Sequence, residues 1–126
     1  LEEHDRMFGR ISFELGALAE SFYCKFFWDE FGPVLRNRGE SVRSRVRNAR
    51  VDEEDIDLLI ETDRAVYVVE VKVKPRHEDM GRLLSKADVV AGHYPGLRVV
   101  PILTGVLIGA DVRKYAELKG VEVYSY

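Results

Sequence analysis

The sequence predicts a three-layer α/β/α domain with a mixed central sheet and the element order αβββαβαβ. Three observations lead there. Apolar residues recur at helical spacing through the first thirty positions. Three β-rich runs then follow with only short polar turns between them. The last two strand-like runs are each preceded by a helical stretch. Short turns make antiparallel neighbours and helical crossovers favour parallel ones, so the sheet is expected to be mixed and covered by helices. A length of 126 residues suits one domain with a real core, and no internal repeat, low-complexity tract or linker divides residues 1–126.

The first element is a long helix, from about Glu3 to Phe31, that Gly32-Pro33 should stop. Phe8, Ile11, Leu15, Leu18, Phe22 and Phe26 form one apolar stripe; Phe13, Ala17, Cys24 and Phe27 make the other side apolar too, so the helix is expected to be well buried. Glu20 lies among the second set and needs a reason to be there. Val42 to Val51 alternates Arg with smaller residues, as a half-exposed strand does. Asp55 to Glu61 follows, with Ile56, Leu58 and Ile60 assigned to one face and Asp57 and Leu59 to the other. Thr62-Asp63-Arg64 turns into a strand from Val66 to Lys74, ended by Pro75. A helix from about Glu78 to His93 should turn Met80, Leu83, Leu84, Ala87 and Val90 inward. Val99 to Ile108 is a buried strand in which Pro101 must sit at the start, an edge or a bulge. Ala110 to Leu118 is a short helix with Gly120 at its C-cap, and Val121 to Tyr126 is the last strand.

Hydrophobic residues make up 46% and charged residues 33% of the chain, which places it among globular proteins. The net charge of -3 gives no global nucleic-acid signal, but its distribution is uneven. Arg36, Arg38, Arg43, Arg45, Arg47 and Arg50 crowd one segment opposed only by Glu40, and Asp52, Glu53, Glu54, Asp55 and Asp57 follow at once. A basic surface beside an acidic cluster is compatible with a metal-dependent enzyme acting on a polyanion, but charge alone favours a solvated strand face next to an acidic turn. The single cysteine, Cys24, excludes an internal disulfide and reads as a core residue. No stretch is long and apolar enough to span a membrane as a helix, and a cytoplasmic protein without a secretory leader is the expectation. The absence of Gln, with plentiful Val, Arg and Glu, fits a thermophile. The start at Leu1 leads to the expectation of an excised domain with a flanking domain missing.

The most informative feature is Glu70-Val71-Lys72 at the end of the apolar run Val66-Tyr67-Val68-Val69. Strand alternation puts Glu70 and Lys72 on the face of Val66 and Val68, with Tyr67, Val69, Val71 and Val73 on the other. A strand apolar on both faces is central, and an acid and an amine at its end are costly without partners. Those partners are each other, a metal ion or a substrate phosphate. Asp57 on the preceding strand could converge with Glu70 on a hard divalent cation, with the Val71 carbonyl as a further ligand. Such an ion activates a water and offsets phosphoryl charge, and Lys72 is placed to reach that water or the scissile phosphate. Glu20 would complete the acidic pocket or hold a second metal.

Asp57, the Glu70-Val71-Lys72 strand and the αβββαβαβ order resemble the PD-(D/E)XK, or restriction-endonuclease-like, nuclease superfamily. The small size and the segment Gly16-Ala17-Leu18-Ala19-Glu20 are similar to archaeal Holliday-junction resolvases and uncharacterised archaeal relatives. The resemblance implies a Mg²⁺-dependent DNA endonuclease, with Mn²⁺ able to substitute, acting on branched or repair-intermediate DNA. It makes Asp57 and Glu70 metal ligands, Lys72 the catalytic lysine and Glu20 the helical acid. Ile56 stands where the family usually has Pro; Asp55 competes with Asp57, and Glu14 with Glu20. Resolvase-like cutting implies a homodimer. Among the remaining residues, Arg43, Arg45, Arg47 and Lys74 are the candidates for contacting DNA phosphates.

Each site residue also has a structural reading. Glu70 and Lys72 could pair only with each other, and Asp57 could pair with an Arg of the preceding strand. His4, His77 and His93 read as surface residues, and Tyr124 and Tyr126 as packing at a sheet edge or interface. The functional alternatives are a catalytically inactive nuclease-fold module for binding DNA or protein, and a structural dimerisation domain.

Overall fold

The computed structural model describes residues 2–125 and, within them, every side chain but that of Phe8. The expected roles of the Phe8 side chain and of Tyr126 therefore lie outside the described residues. The elements are α1 (Glu2–Asn37), β1 (Val42–Val51), β2 (Glu54–Thr62), β3 (Ala65–Lys72), α2 (His77–Ala91), β4 (Arg98–Gly105), α3 (Ala110–Leu118) and β5 (Glu122–Ser125). The five strands lie in the order β1-β2-β3-β4-β5. β1, β2 and β3 form the antiparallel meander, and β4 and β5 join it in parallel. The αβββαβαβ order and the mixed sheet are as the sequence predicts.

Two apolar cores flank β3, and strand alternation explains the split. Val66 and Val68 pack with Met80, Leu83, Ala87 and Val90 of α2 and with Val112 and Ala116 of α3. Tyr67, Val69 and Val71 pack with Cys24, Phe27, Phe31 and Leu35 of α1. α1 thus forms one outer layer, α2 and α3 the other. On the α1 side the core is aromatic: Phe27 stacks on Phe31 at 4.9 Å, and Phe31 meets Tyr67 and Tyr124 edge-on at 5.1 and 5.6 Å. Tyr124, partly buried on the edge strand β5, packs against this core, as the sequence reading of sheet-edge packing expects. Pro101 lies within β4, but β5 pairs only from Ile102 onward, so its missing N–H falls where β4 is still an edge.

Three expectations need correction. First, α1 does not end at Gly32-Pro33; it runs on to Asn37 with Pro33 inside it. Leu35 is fully buried one turn after Phe31, so docking outweighs the hydrogen bond that Pro33 forgoes. The true stop is Gly39, at φ 78, where the Gly39 and Glu40 N–H groups donate back to the Arg36 and Leu35 carbonyls. Second, α1 is not buried along its length. Only its C-terminal third docks, and Met7, Ile11, Phe13, Leu15, Leu18, Phe22 and Phe26 stay exposed. Third, Ile56 does not share a core with Leu58 and Ile60. Ile56 and its β1 partner Ala49 pack on the α2 side, while Leu58 and Ile60 pack on the α1 side, and so Leu59 rather than Asp57 continues the α2-side pattern. Asn48, at φ 50 between the Arg47–Leu58 and Ala49–Ile56 pairs, breaks the alternation on β1 opposite Asp57.

Glu40 also departs from expectation. It does not oppose the arginines but is buried, its carboxylate accepting hydrogen bonds from the Tyr67 hydroxyl at 2.7 and 2.8 Å and from the Thr62 hydroxyl at 2.8 Å. This ties the end of α1 to the β2–β3 turn.

Candidate functional site

The β2–β3 ladder runs from Glu61–Val66 to Leu58–Val69, and the next position on each strand is Asp57 and Glu70. Here a carboxylate replaces the ladder: Asp57 Oδ2 accepts the Val71 N–H at 2.8 Å. Asp57 is half-buried and Glu70 is buried. The two carboxyl groups are close enough for Asp57 to act on Glu70 both by its charge and as a hydrogen-bond partner, and both effects favour the protonated form of Glu70. Burial, and then the charge of Asp57, pushes the Glu70 carboxyl up to about 7.

Glu70 has a further partner that the sequence reading missed. Lys86 Nζ of α2 donates to Glu70 Oε1 at 2.6 Å, and this ion pair opposes the rise in the Glu70 pKa. The ion pair of Glu70 is therefore with Lys86 and not with Lys72. Lys86 was legible only as an outward position of α2, and its pairing depends on how that helix crosses β3. Lys72 lies beside Glu70 in a small recess of about 40 Å³ that Asp79, Arg82 and Lys86 also line.

On the other side of the strand ends, a cleft of about 500 Å³ is lined by Phe13, Glu14, Ala17, Leu18, Glu20, Ser21 and Cys24 of α1 and by Arg47, Asn48 and Asp57 of the sheet. Glu20 is half-buried there. Burial raises its pKa, the charge of Asp57 raises it further, and Lys72 draws it back. The cleft and the recess are separate, and Asp57 and Glu70 meet between them. Glu14 is an exposed lining residue of the cleft. Asp55 is exposed and pairs with Arg50 at 3.6 Å, so it is not part of this arrangement.

The basic residues divide as well. Arg47 lines the cleft, and Arg45 stacks over the Trp28 ring of α1 at 4.8 Å. Arg43 and Lys74 are exposed. His93 Nε2 lies 3.0 Å from Asp52 Oδ1 and His77 packs on the Tyr115 ring, so both remain surface residues flanking α2. Cys24 is a buried free thiol, and burial raises its pKa.

Gly105 is a second residue the sequence reading passed over. A Cβ there would collide with the Lys72 carbonyl oxygen, so only glycine lets β4 lie this close to the end of β3. Among the described residues no three His, Cys, Asp or Glu side chains converge as a ready metal cluster. Two carboxylates satisfy Mg²⁺, which keeps most of its waters, and the Asp57–Glu70 pair supplies oxygen donors only. The donor set fits such an ion.

Comparison with solved structures bears on this arrangement. The fold is similar to that of a repair endonuclease from Pyrococcus abyssi, with a TM-score of 0.65 and 18% identity over 84% of this chain and 46% of that one. It is also similar to EndoMS in a complex with dsDNA, with a TM-score of 0.57 and 17% identity over 78% of this chain and 43% of that one. The chain has the restriction-endonuclease-like fold. A protein of unknown function, AF1548, shares it at a TM-score of 0.50 and 19% identity, over 76% of this chain and 54% of that one. The chain spans less than half the length of the two endonucleases. No protein-family model and no curated protein sequence matches it. Among the described residues, no helix is long and apolar enough to cross a membrane. On this restriction-endonuclease-like sheet, Asp57 and Glu70 occupy the point where β2 and β3 stop pairing.

Proposed function

We propose that this chain is the core of a Mg²⁺-dependent DNA endonuclease that hydrolyses phosphodiester bonds, with Mn²⁺ able to substitute. The observation that carries this reading is the Asp57–Glu70 pair, two acids in hydrogen-bond contact at the end of a buried strand. Asp57, Glu70 and the Val71 carbonyl would hold the ion, and Glu20 would face it from α1. A bound ion supplies a water of lowered pKa and offsets phosphoryl charge.

The rest of the chemistry belongs to the chain. Lys72 orients the attacking water and neutralises charge at the scissile phosphate. Lys86 holds the Glu70 carboxylate in one direction. The Val71 N–H fixes the Asp57 carboxylate. Arg43, Arg45, Arg47 and Lys74 contact flanking phosphates, which positions DNA without reading its sequence. In-line attack that expels the 3′-oxygen would leave 5′-phosphate and 3′-hydroxyl ends, as the family resemblance implies. One of the similar structures is a dsDNA complex, which supports DNA as the substrate. Branched and repair-intermediate DNA are the substrates to try first.

The alternative is a catalytically inactive module of the same fold that binds DNA or protein. One observation favours it: the Glu70 carboxylate already has a cation in Lys86. Incubation with linear, flapped and branched DNA in Mg²⁺ or Mn²⁺ separates the two readings. Glu70→Ala and Lys72→Ala are expected to abolish metal-dependent cleavage while melting as folded proteins. Cleavage that persists unchanged in either variant sinks the assignment, and metal that fails to bind at millimolar concentration leaves the module.

A further inference from the structure

The outward face of α1 carries an apolar stripe that stays exposed. Met7, Ile11, Leu15, Leu18, Phe22 and Phe26 are each about half exposed or more, between 48% and 60%. At ~100° per residue they fall within a single band, and that band lies about 160° around the helix from Cys24, Phe27, Phe31 and Leu35, the residues that dock on the sheet. Phe22 and Phe26 stack on each other at 6.4 Å, which extends the apolar surface without closing it off. The sequence makes this helix apolar on two sides, and one chain covers only the C-terminal third of one of them.

The spacing of the stripe identifies what covers the other. Read from either end, its intervals are four, four, three, four and four residues. A stripe that reads the same in both directions is complementary to itself when two copies run antiparallel. Met7 of one copy then meets Phe26 of the other, Ile11 meets Phe22, and Leu15 meets Leu18. His4 and Asp29 each lie three residues beyond an end, so the same alignment sets the imidazole of one copy beside the carboxylate of the other. Each contact then recurs with the copies exchanged, which makes the arrangement isologous and compatible with a twofold axis. The size fits too. Each half-exposed side chain leaves roughly 100 Å² to bury, so two copies would bury about 1,200 Å², the lower end for a stable specific interface. Each sheet lies behind its own helix, which leaves room for the partner along about 28 Å of stripe.

We infer that the outward face of α1 is a homodimer interface in which two copies of this chain pair their helices antiparallel about a twofold axis between Leu15 and Leu18. The two clefts face away from each other across the helix pair. Leu18 serves both the stripe and the cleft wall, so the dimer steadies one side of each cleft. The inference does not depend on the nuclease reading, because it rests on the helix alone.

Sedimentation equilibrium of the chain at tens of micromolar is expected to give a dimer. Ile11→Glu combined with Leu15→Glu, neither of which lines the cleft, is expected to weaken dimerisation at least a hundredfold with helicity unchanged by circular dichroism. Direction is read by cross-linking. Mixing Ile11→Cys with Phe22→Cys is expected to give a disulfide between unlike chains, while Ile11→Cys alone gives none; Cys24 is buried and does not compete. A wild-type monomer, a dimer that survives the double substitution, or an Ile11→Cys self-disulfide each overturns the proposal.

Discussion

Glu70→Gln separates a site held under strain from a salt bridge made for stability. Burial and Asp57 raise the Glu70 carboxyl from 4.5 to about 7, against the pull of Lys86. The folded chain therefore holds this proton more tightly than the unfolded chain does. Its contribution to stability is fully present below about pH 4.5 and is lost as pH rises through about 7. At ~1.36 kcal/mol per pKa unit, keeping Glu70 ionised at pH 8 costs about 3 kcal/mol. The Glu70 side chain is only 9% exposed, so solvent screening reduces this little, and Lys86, at 20%, can turn to water once its partner is neutral. The neutral isostere should then stabilise the protein by up to about 3 kcal/mol at pH 8 and by little near pH 4.5. Urea unfolding in a chelating buffer at both pH values measures this. Adding Mn²⁺ to a hundred times its dissociation constant at pH 8 should raise wild-type stability by about 2.7 kcal/mol and leave Glu70→Gln unmoved. If Glu70→Gln is instead destabilised at pH 8, the Lys86 pair outweighs the burial and the Asp57 repulsion, and the reasoning fails.

Three further perturbations test the parts that hold the site. Tyr67→Phe leaves the buried Glu40 with one hydroxyl donor, and should cost about 1.5–3 kcal/mol in urea unfolding at pH 7. Burial and Glu40 push the Tyr67 hydroxyl up to about 12, so wild-type stability should also fall as pH rises from 10 toward 12, a loss that Tyr67→Phe should not show. Gly105→Ala drives a methyl group into the Lys72 carbonyl; it should cost about 1–3 kcal/mol in the same unfolding measurement and lower cleavage more than the Tyr67 change does. Arg47→Ala should reduce the slope of log affinity against log salt for duplex DNA by about 0.9, measured by fluorescence anisotropy, while exposed Arg36 at the far end of α1 should leave it unchanged.

The element order, the mixed sheet and the two faces of β3 were legible because each rests on local periodicity. The docking face of α1 was legible in part: Cys24 and Phe27 were in the second apolar set. That Phe31 and Leu35 carry the helix past Pro33 was not, since a helix breaker yields when the residues on either side of it are buried. Local alternation likewise fails at Ile56, where the strand switches between cores opposite the positive-φ Asn48 of the neighbouring strand. Asp57, Glu70 and Lys72 were legible as an anomaly of charge on apolar strands. Lys86 and Gly105 were not, because their importance comes from contacts with β3 that only the assembled sheet makes. Five of the six stripe residues, Ile11 to Phe26, are visible as hydrophobicity at helical spacing and suggest core, while Met7 is not singled out; a sequence does not say which of two apolar faces its own chain will cover.

Two buried acids at opposite ends of β3 make the case for reading the site as chemistry rather than architecture. Glu40, 6% exposed, sits beside the start of the strand and is met by neutral donors, with the Tyr67 hydroxyl on both of its oxygens and the Thr62 hydroxyl on one. No other acid is required there, and the arrangement fastens one element to another. Glu70, 7% exposed, sits near the far end and is handled in the opposite way. Its nearest polar neighbours include a second carboxylate, its proton affinity is raised to about 7, and the backbone opposite Asp57 is held in a left-handed turn at Asn48. Fastening β3 to α2 would need only Lys86 and Glu70, with an apolar residue in place of Asp57. The added acid makes the position less stable without a cation and more stable with one. An arrangement that is costly when empty and relieved when filled supports the proposed cation site, and it is the property that the Glu70→Gln comparison with and without Mn²⁺ measures.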